Sequence, residues 1–177
     1  LSIEQEVVRL VNIERSKQGL KPLELSSKLS SIARKKSQDM IDKNYFSHQS
    51  PTYGSPFDML HQFGVSYQTA GENIAAGYPS AQAVVTGWMN SPGHRANLLS
   101  PNYRQIGVGY GFNADSPGQY YWVQDFGSWS DIYPVIINNE AAQTLSNTVN
   151  LYIHGSGWAK QMRLSNDAVN WTPWEPY

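Results

Sequence analysis

Residues 106–111 read Ile106-Gly107-Val108-Gly109-Tyr110-Gly111, and this stretch decides the fold around it. Its large side chains alternate with glycines, which is the two-residue period of a β-strand. The glycines remove the side chains from one face of that strand, so a helix or another backbone can approach it closely. We therefore expect a strand that is covered tightly on its glycine face.

The segment that follows completes a β-hairpin. Residues 120–126 (YYWVQDF) alternate again, and residues 113–118 between the two runs contain Asn, Asp, Pro and Gly, which favour a turn. The sequence therefore predicts an antiparallel pair of strands at the centre of a small sheet.

Helices are predicted before the hairpin. Apolar periodicity and capping signals indicate helices over about 2–18, 26–43, 55–63 and 80–90. Ser91-Pro92 predicts one more short helix, with Ser91 as its N-cap and His94 within it. This order of elements favours an α+β domain in which helices flank a small, mostly antiparallel sheet.

Composition excludes several classes of function. The 177 residues carry 13 Lys and Arg against 14 Asp and Glu, a net charge of −1, so no global positive field favours nucleic-acid binding. No phosphate-binding glycine loop precedes a helix, so no nucleotide cofactor is expected. No run approaches the roughly 20 apolar residues of a transmembrane helix, and we expect a soluble piece whose targeting segment has been removed.

Cysteine is absent, which excludes disulfides, thiolate metal ligands and Cys nucleophiles. The one basic run, Arg34-Lys35-Lys36, lies on an amphipathic helix and is interpreted as a solvated face.

Three residues are candidates for chemistry. His48 follows the second helix, His94 lies in the short helix, and Glu72 stands among small and apolar neighbours, where a carboxylate must be either solvated or paired. Their spacing forms no local metal motif. Two interpretations stay open: each residue simply makes hydrogen bonds, or the three converge as a His₂Glu set of the kind that holds zinc. His61 and His154 are expected to have structural roles on a helix and at a strand end.

The last fifty residues form a separate β segment. The composition changes near 127–133, which predicts domains over 1–127 and 128–177. Strands are expected near 149–153 and 159–164, followed by a turn at 165–167. Two or three short strands are only marginally stable alone. This tail is therefore expected either to dock on the first domain or to be a fragment of a larger structure. Its tryptophans favour packing over carbohydrate binding.

Six segments in this order resemble the CAP superfamily, the cysteine-rich secretory protein, antigen 5 and PR-1 group, in its bacterial SCP-domain form. They are 10–15 (LVNIER) with 19–23 (GLKPL), 46–51 (FSHQSP), 71–75 (GENIA), 88–95 (WMNSPGHR), 106–109 (IGVG) and 121–127 (YWVQDFG). The resemblance implies an α-β-α sandwich. The tail, through 149–153 and 162–167 with its final aromatics, resembles part of an Ig-like repeat of bacterial surface proteins.

The resemblance also implies a central cleft where two histidines and two acids meet, which in some members holds zinc or another divalent ion. His48, Glu72 and His94 match three of these positions, and His48 and His94 are the expected metal ligands. Ser91, three residues after Trp88, stands where the fourth position is acidic. The missing carboxylate lowers the negative charge of the site and removes a candidate base.

The expected function is a secreted, extracellular binding protein whose cleft takes a small molecule, peptide, glycan or lipid. Two alternatives remain. One is a metal-assisted hydrolase in which Glu72 acts as the general base. The other is a non-catalytic surface interaction module.

Overall fold

Residues 3–128 contain five helices and a four-stranded sheet. The computed structural model describes residues 2–129, 134–141, 143–155 and 157–177. The helices are α1 (Ile3–Lys17), α2 (Ser27–Asp42), α3 (Pro56–Gln62), α4 (Ala81–Met89) and α5 (Pro92–Leu98). The strands are β1 (Glu24–Leu25), β2 (Thr69–Ala76), β3 (Gln105–Phe112) and β4 (Tyr120–Ser128). None of the described helices is long and apolar enough to cross a membrane.

The sheet has the order β1-β3-β4-β2. Strand β1 runs parallel to β3, and the β3–β4 and β4–β2 pairs are antiparallel, which confirms the mostly antiparallel sheet. The hairpin was predicted, whereas β1 and β2 were not. Strand β2 (TAGENIAA) escaped prediction because its small residues do not alternate in polarity, and its central residues are buried regardless of which way they point.

Helix α2 lies directly on the glycine face of β3. A Cβ atom added to Gly107 would lie 2.2 Å from the carbonyl carbon of Leu29, and one added to Gly109 would lie 2.1 Å from that of Ala33. The expected close approach is therefore confirmed. Helices α1 and α4 pack on the opposite face of the sheet, around Trp88, so the layers form an α-β-α sandwich.

Serine residues occupy the N-cap position of all five described helices, and three of these caps, Ser26, Ser55 and Ser91, are at positions that the sequence predicts. The hydroxyls of Ser26, Ser55 and Ser80 accept hydrogen bonds from backbone N–H groups of the first turns of α2, α3 and α4. Ser91 occupies the predicted N-cap position of α5, but its side chain makes no capping hydrogen bond. Its hydroxyl instead lies 2.9 Å from Nδ1 of His94, which draws it away from the helix N-terminus.

The tail contains two short antiparallel pairs. Strand β5 (Val135–Ile137) pairs with β6 (Leu151–Ile153), and β7 (Gln161–Met162) pairs with β8 (Glu175–Pro176). Strands β6 and β7 fall within the predicted strands but are shorter, and β5 and β8 were missed. The Ig-like repeat and the division into 1–127 and 128–177 stay predictions, and residues 130–133 of the expected boundary lie outside the described residues.

The tail contacts the sandwich. Ile136 is buried, and a carboxylate oxygen of Glu140 accepts a hydrogen bond from the N–H of Leu25 in β1. The tail tryptophans do not form a core: Trp171 and Trp174 are both substantially exposed, and each ring packs against the guanidinium of Arg163, 4.6 and 4.9 Å from its centroid. Their packing is therefore local to the β7–β8 hairpin.

Gly109→Ala is expected to lower the free energy of unfolding by about 3 kcal/mol or more, because backbone atoms of α2 cannot rotate out of the way of the new methyl group. Urea denaturation measures this loss. Gly93→Ala is the matched control, since a Cβ there meets nothing within 4 Å. Similar losses for the two variants would show that the contact between α2 and β3 is not tight.

Candidate functional site

A cleft of about 470 Å³ opens between the loop after α2, strand β2 and the junction of α4 with α5. His48, Ser91 and His94 line its polar end. Its wall is mostly apolar and contains Phe46, Ile74, Ala75, Ala76, Tyr78, Gly87 and Trp88. The cleft therefore presents two imidazoles beside an apolar surface.

Glu72 lies behind the imidazole of His48. Its Oε1 atom is 2.6 Å from Nδ1 of His48, and its side chain is only 3% exposed, whereas that of His48 is 53% exposed. The carboxylate is therefore paired, one of the two states expected for it. As an acceptor it favours the His48 tautomer with hydrogen on Nδ1, which leaves Nε2 as an acceptor. Glu72 itself does not line the cleft.

His94 shares the cleft with His48. Burial lowers the pKa of His94, and the positive charge of protonated His48 lowers it further. The structure thus places His48 and His94 on one cleft, with Glu72 behind the His48 ring. His61 lies elsewhere, on α3 against Tyr67, and His154 directly follows β6 in the tail.

The arrangement does not complete a metal site. Within the described ranges, no group of three or more His, Asp or Glu side chains is placed to hold a metal ion. Catalytic zinc sites have three protein ligands. Here the Glu72 carboxylate is hydrogen-bonded to His48, and Ser91 stands at the fourth position, where the resemblance implies an acidic residue. The zinc expectation for His48 and His94 stays a prediction without support from this geometry, and no catalytic step through a metal follows.

A buried lysine lies under the His48 loop. Lys36 is 1% exposed, and its Nζ donates a hydrogen bond to the carbonyl oxygen of His48 at 2.7 Å. Burial lowers the pKa of Lys36, and the negative charges of Glu72, Asp39 and Asp125 oppose that effect. The expectation of a solvated basic face is therefore right for Arg34 and Lys35 but wrong for Lys36.

Asp125 stands beside Glu72 in the register of β2 and β4. Its burial and the negative charge of Glu72 hold the pKa of Asp125 well above its ordinary value, although Lys36 acts in the opposite direction. The charges under the cleft are thus coupled: the Lys36 ammonium offsets the repulsion between the neighbouring Glu72 and Asp125 carboxyl groups.

Asp39 fastens the rest of the His48 loop to α2. Its carboxylate accepts hydrogen bonds from the hydroxyls of Tyr45, Ser50 and Thr52, at 2.6, 2.7 and 2.5 Å. Burial alone would raise the pKa of Asp39, but these donors and Lys36 outweigh it and lower that pKa. Two residues of α2, one turn apart, therefore position the loop that carries His48.

Buried amides position α5 in a similar way. The Nδ2 atom of Asn73, on β2, donates to the carbonyl oxygen of His94 at 3.2 Å and to Oε1 of Gln124 at 3.1 Å. Asn97 Nδ2 donates to Oδ1 of Asn73 at 2.8 Å. The backbone carbonyl groups of His48 and His94 therefore both accept hydrogen bonds from buried side chains, which fixes the positions of the two histidines. The amides of Asn73, Asn97 and Gln124 gave no sequence signal that spacing could reveal.

Comparison with known proteins gives consistent matches. The profile of the family described as Cysteine-rich secretory protein family, CAP, matches residues 8–126. The protein YkwD of Bacillus subtilis is 65% identical over 107 residues, which cover 60% of this chain and 42% of YkwD.

Solved structures agree. A crystal structure of an extracellular protein containing an SCP domain, from Bacillus anthracis, matches with a TM-score of 0.65 and 39% identity, over 72% of this chain and 40% of that one. A cysteine-rich secretory protein from Staphylococcus aureus matches with a TM-score of 0.56 and 25% identity, over 68% and 36%. The chain thus matches only about two fifths of the length of these relatives.

Lys36→Met is expected to lower the free energy of unfolding by about 3 kcal/mol, because it leaves buried carboxyls without their cation and the His48 carbonyl without its donor. Urea denaturation gives this value. Lys43→Met, at the exposed C-cap of the same helix, is the control and should change it by less than about 0.5 kcal/mol. Equal effects would mean that the buried ammonium contributes nothing specific.

His94 should titrate below the ordinary histidine value of about 6.5, as followed by the NMR signal of its Hε1 proton. His48→Gln should raise this pKa part of the way back, since the charge of His48 is removed while burial remains. Because the folded pKa is lowered, the contribution of His94 to stability is complete above about pH 6.5 and is lost as the pH falls toward the folded pKa. A midpoint at or above 6.5 in the wild type would contradict the assigned environment.

Proposed function

The chain belongs to the cysteine-rich secretory protein (CAP) family, and from this premise we propose that it is an extracellular binding module. Its cleft captures a ligand that carries an apolar group beside a hydrogen-bonding head. The observation that carries the proposal is the pairing of two imidazoles with an apolar wall in one cleft of about 470 Å³. Relatives described as extracellular or secretory support the location.

The apolar wall is preformed. Trp88 is 1% exposed, and its indole N–H donates to the carbonyl oxygen of Ile74 at 3.3 Å, which holds the ring in place. Tyr78 packs against Gly87, where a Cβ atom would lie 2.6 Å from its ring. Concave, mostly apolar sites with a few convergent polar groups are typical of ligand binding.

The polar end suits an amide or a carboxyl group. The Nδ1–H of His48 is bonded to Glu72, so this ring offers Nε2 as an acceptor. His94, whose Nδ1 is bonded to Ser91, instead offers its Nε2 as a donor when Nδ1 accepts the Ser91 hydroxyl. An apolar peptide side chain beside its amide, or an acyl chain beside its carboxyl, has both features.

The hydrolase alternative receives less support. Glu72 is separated from the cleft by the His48 ring and does not touch its surface, so it cannot take a proton directly from a water molecule bound there. The expected role of Glu72 as a general base therefore has no favourable geometry. We assign Glu72 the role of orienting His48.

Binding is tested on the whole chain by NMR titration with two probes, N-acetyl-leucine methylamide and octanoate. At least one probe should saturate and shift the signals of Ile74 and the Trp88 indole. Gly87→Ala displaces the Tyr78 ring and should raise the dissociation constant of that probe about tenfold, which is the usual effect of one methylene group too many in an apolar pocket. Gly93→Ala, next to the same cleft but with free space around it, should not.

Two outcomes would contradict the proposal. If neither probe saturates, the chain is better described as a surface module without a ligand in this cleft. If Gly87→Ala and Gly93→Ala bind a probe equally well, the ligand lies elsewhere.

A further inference from the structure

Strand β2 forms one edge of the sheet and runs along the wall of the cleft. It is the last strand in the order β1-β3-β4-β2, and among the described strands it pairs with β4 alone. Its last three residues, Ile74, Ala75 and Ala76, line the cleft. The backbone of an edge strand therefore borders the ligand site proposed above.

Alternate backbone groups of β2 point away from the sheet. The N–H of Gly77, the residue after the strand, donates to the carbonyl oxygen of Tyr120 at 3.0 Å, in continuation of the register of β2 and β4. Because every second residue of an antiparallel strand bonds its partner, the odd-numbered residues of β2 bond β4. The N–H and C=O groups of residues 70, 72, 74 and 76 therefore point toward the open edge.

Side chains cap the carbonyl groups along most of this edge. The carbonyl oxygens of residues 70, 72 and 74 each accept one hydrogen bond, at 3.3–3.4 Å, from the Tyr103 hydroxyl, Asn97 Nδ2 and the Trp88 indole N–H respectively. A further strand would need those acceptors, so this part of the edge is protected from pairing.

The edge is open where it meets the cleft. Within the described residues, no hydrogen bond is found for the N–H of Ile74, the N–H of Ala76 or the carbonyl oxygen of Ala76. Ile74 is only 6% exposed, and buried backbone N–H groups are ordinarily hydrogen-bonded. Two donors and one acceptor are therefore available to a ligand in the cleft.

Given that the cleft binds a ligand, as proposed above, we propose that this ligand is a peptide in extended conformation, which pairs with β2 as an added antiparallel strand at Ile74 and Ala76. One peptide residue bonds both backbone groups of Ala76, and the residue two positions further along accepts from the N–H of Ile74. A carboxylate on an acyl chain has no donor for the carbonyl oxygen of Ala76. The open edge therefore favours a peptide over a fatty acid.

The walls of the cleft suit such a strand. Successive side chains of an extended peptide point to opposite sides, and β2 lies between the loop after α2 and the α4–α5 junction. Side chains on the first side would contact Phe46, which is 52% exposed, and those on the other would contact Tyr78 and Trp88. Both surfaces are aromatic, so we expect the peptide to carry apolar side chains.

The first test compares two isomers of the blocked peptide acetyl-Leu-Ala-Leu-methylamide, with one N-methyl group on either the first or the second residue. Each isomer and the unmethylated peptide are titrated against the whole isotopically labelled chain by NMR. Consecutive N–H groups of a strand face opposite ways, so only one of the methyl groups lies toward β2. That isomer should bind at least about tenfold more weakly than the unmethylated peptide, because it leaves the carbonyl oxygen of Ala76 unbonded, whereas the other should bind within about twofold.

The second test follows the N–H groups of the protein. Hydrogen exchange at Ile74 and Ala76 should slow when the unmethylated peptide is bound, whereas exchange at Ala70, on the same edge but outside the cleft, should not change. Ala76→Pro removes one donor from the open edge without breaking a bond to β4, and it should weaken peptide binding about tenfold. Ala70→Pro is the matched control and should bind the peptide as the wild type does.

Equal binding of the two isomers would overturn the strand pairing, and so would unchanged exchange at Ile74 and Ala76 in the bound chain. The isomers leave the protein unaltered, so their comparison does not depend on the folding of a variant. If octanoate saturates the cleft and the peptide does not, the strand pairing fails while the proposed binding function stands. If no probe saturates, the proposed function itself fails and the strand pairing fails with it.

Discussion

The close contact between α2 and the glycine face of β3 is the constraint on which the site depends. Because Gly107 and Gly109 have no side chains, the helix backbone lies near enough for Lys36 to reach the acids of the sheet. Asp39, one turn further along, reaches the loop that carries His48. A larger separation of helix and sheet would break the layer that supports the cleft.

The sequence predicts the helices and the hairpin because their signals are local. Alternating glycines, serine caps and apolar periodicity each describe a few neighbouring residues, and the structure confirms α2 and the β3–β4 pair. Strand β2 gave no such signal. The burial of Lys36 was predictable from the sequence, because Lys36 follows Ala33 by three residues and Ile32 by four and therefore lies on the buried face of α2.

The convergence of the candidate residues was beyond local reasoning. His48 and His94 are 46 positions apart, and only the family resemblance suggested that they meet. The apolar neighbours of Glu72 did predict that its carboxylate is solvated or paired, and it is paired. Ser91 makes no capping hydrogen bond because its hydroxyl bonds His94 in the same site. Predictions from neighbouring residues thus fail where a side chain hydrogen-bonds a residue that is distant in sequence.

Arg15 has a consequence for a chain without cysteine. Its guanidinium links the end of the first helix to carbonyl groups 83 and 85 residues later in sequence. This is the long-range cross-link that a disulfide supplies in many small exported domains. Built from hydrogen bonds, it is insensitive to the redox potential of the surroundings and needs no oxidative folding machinery.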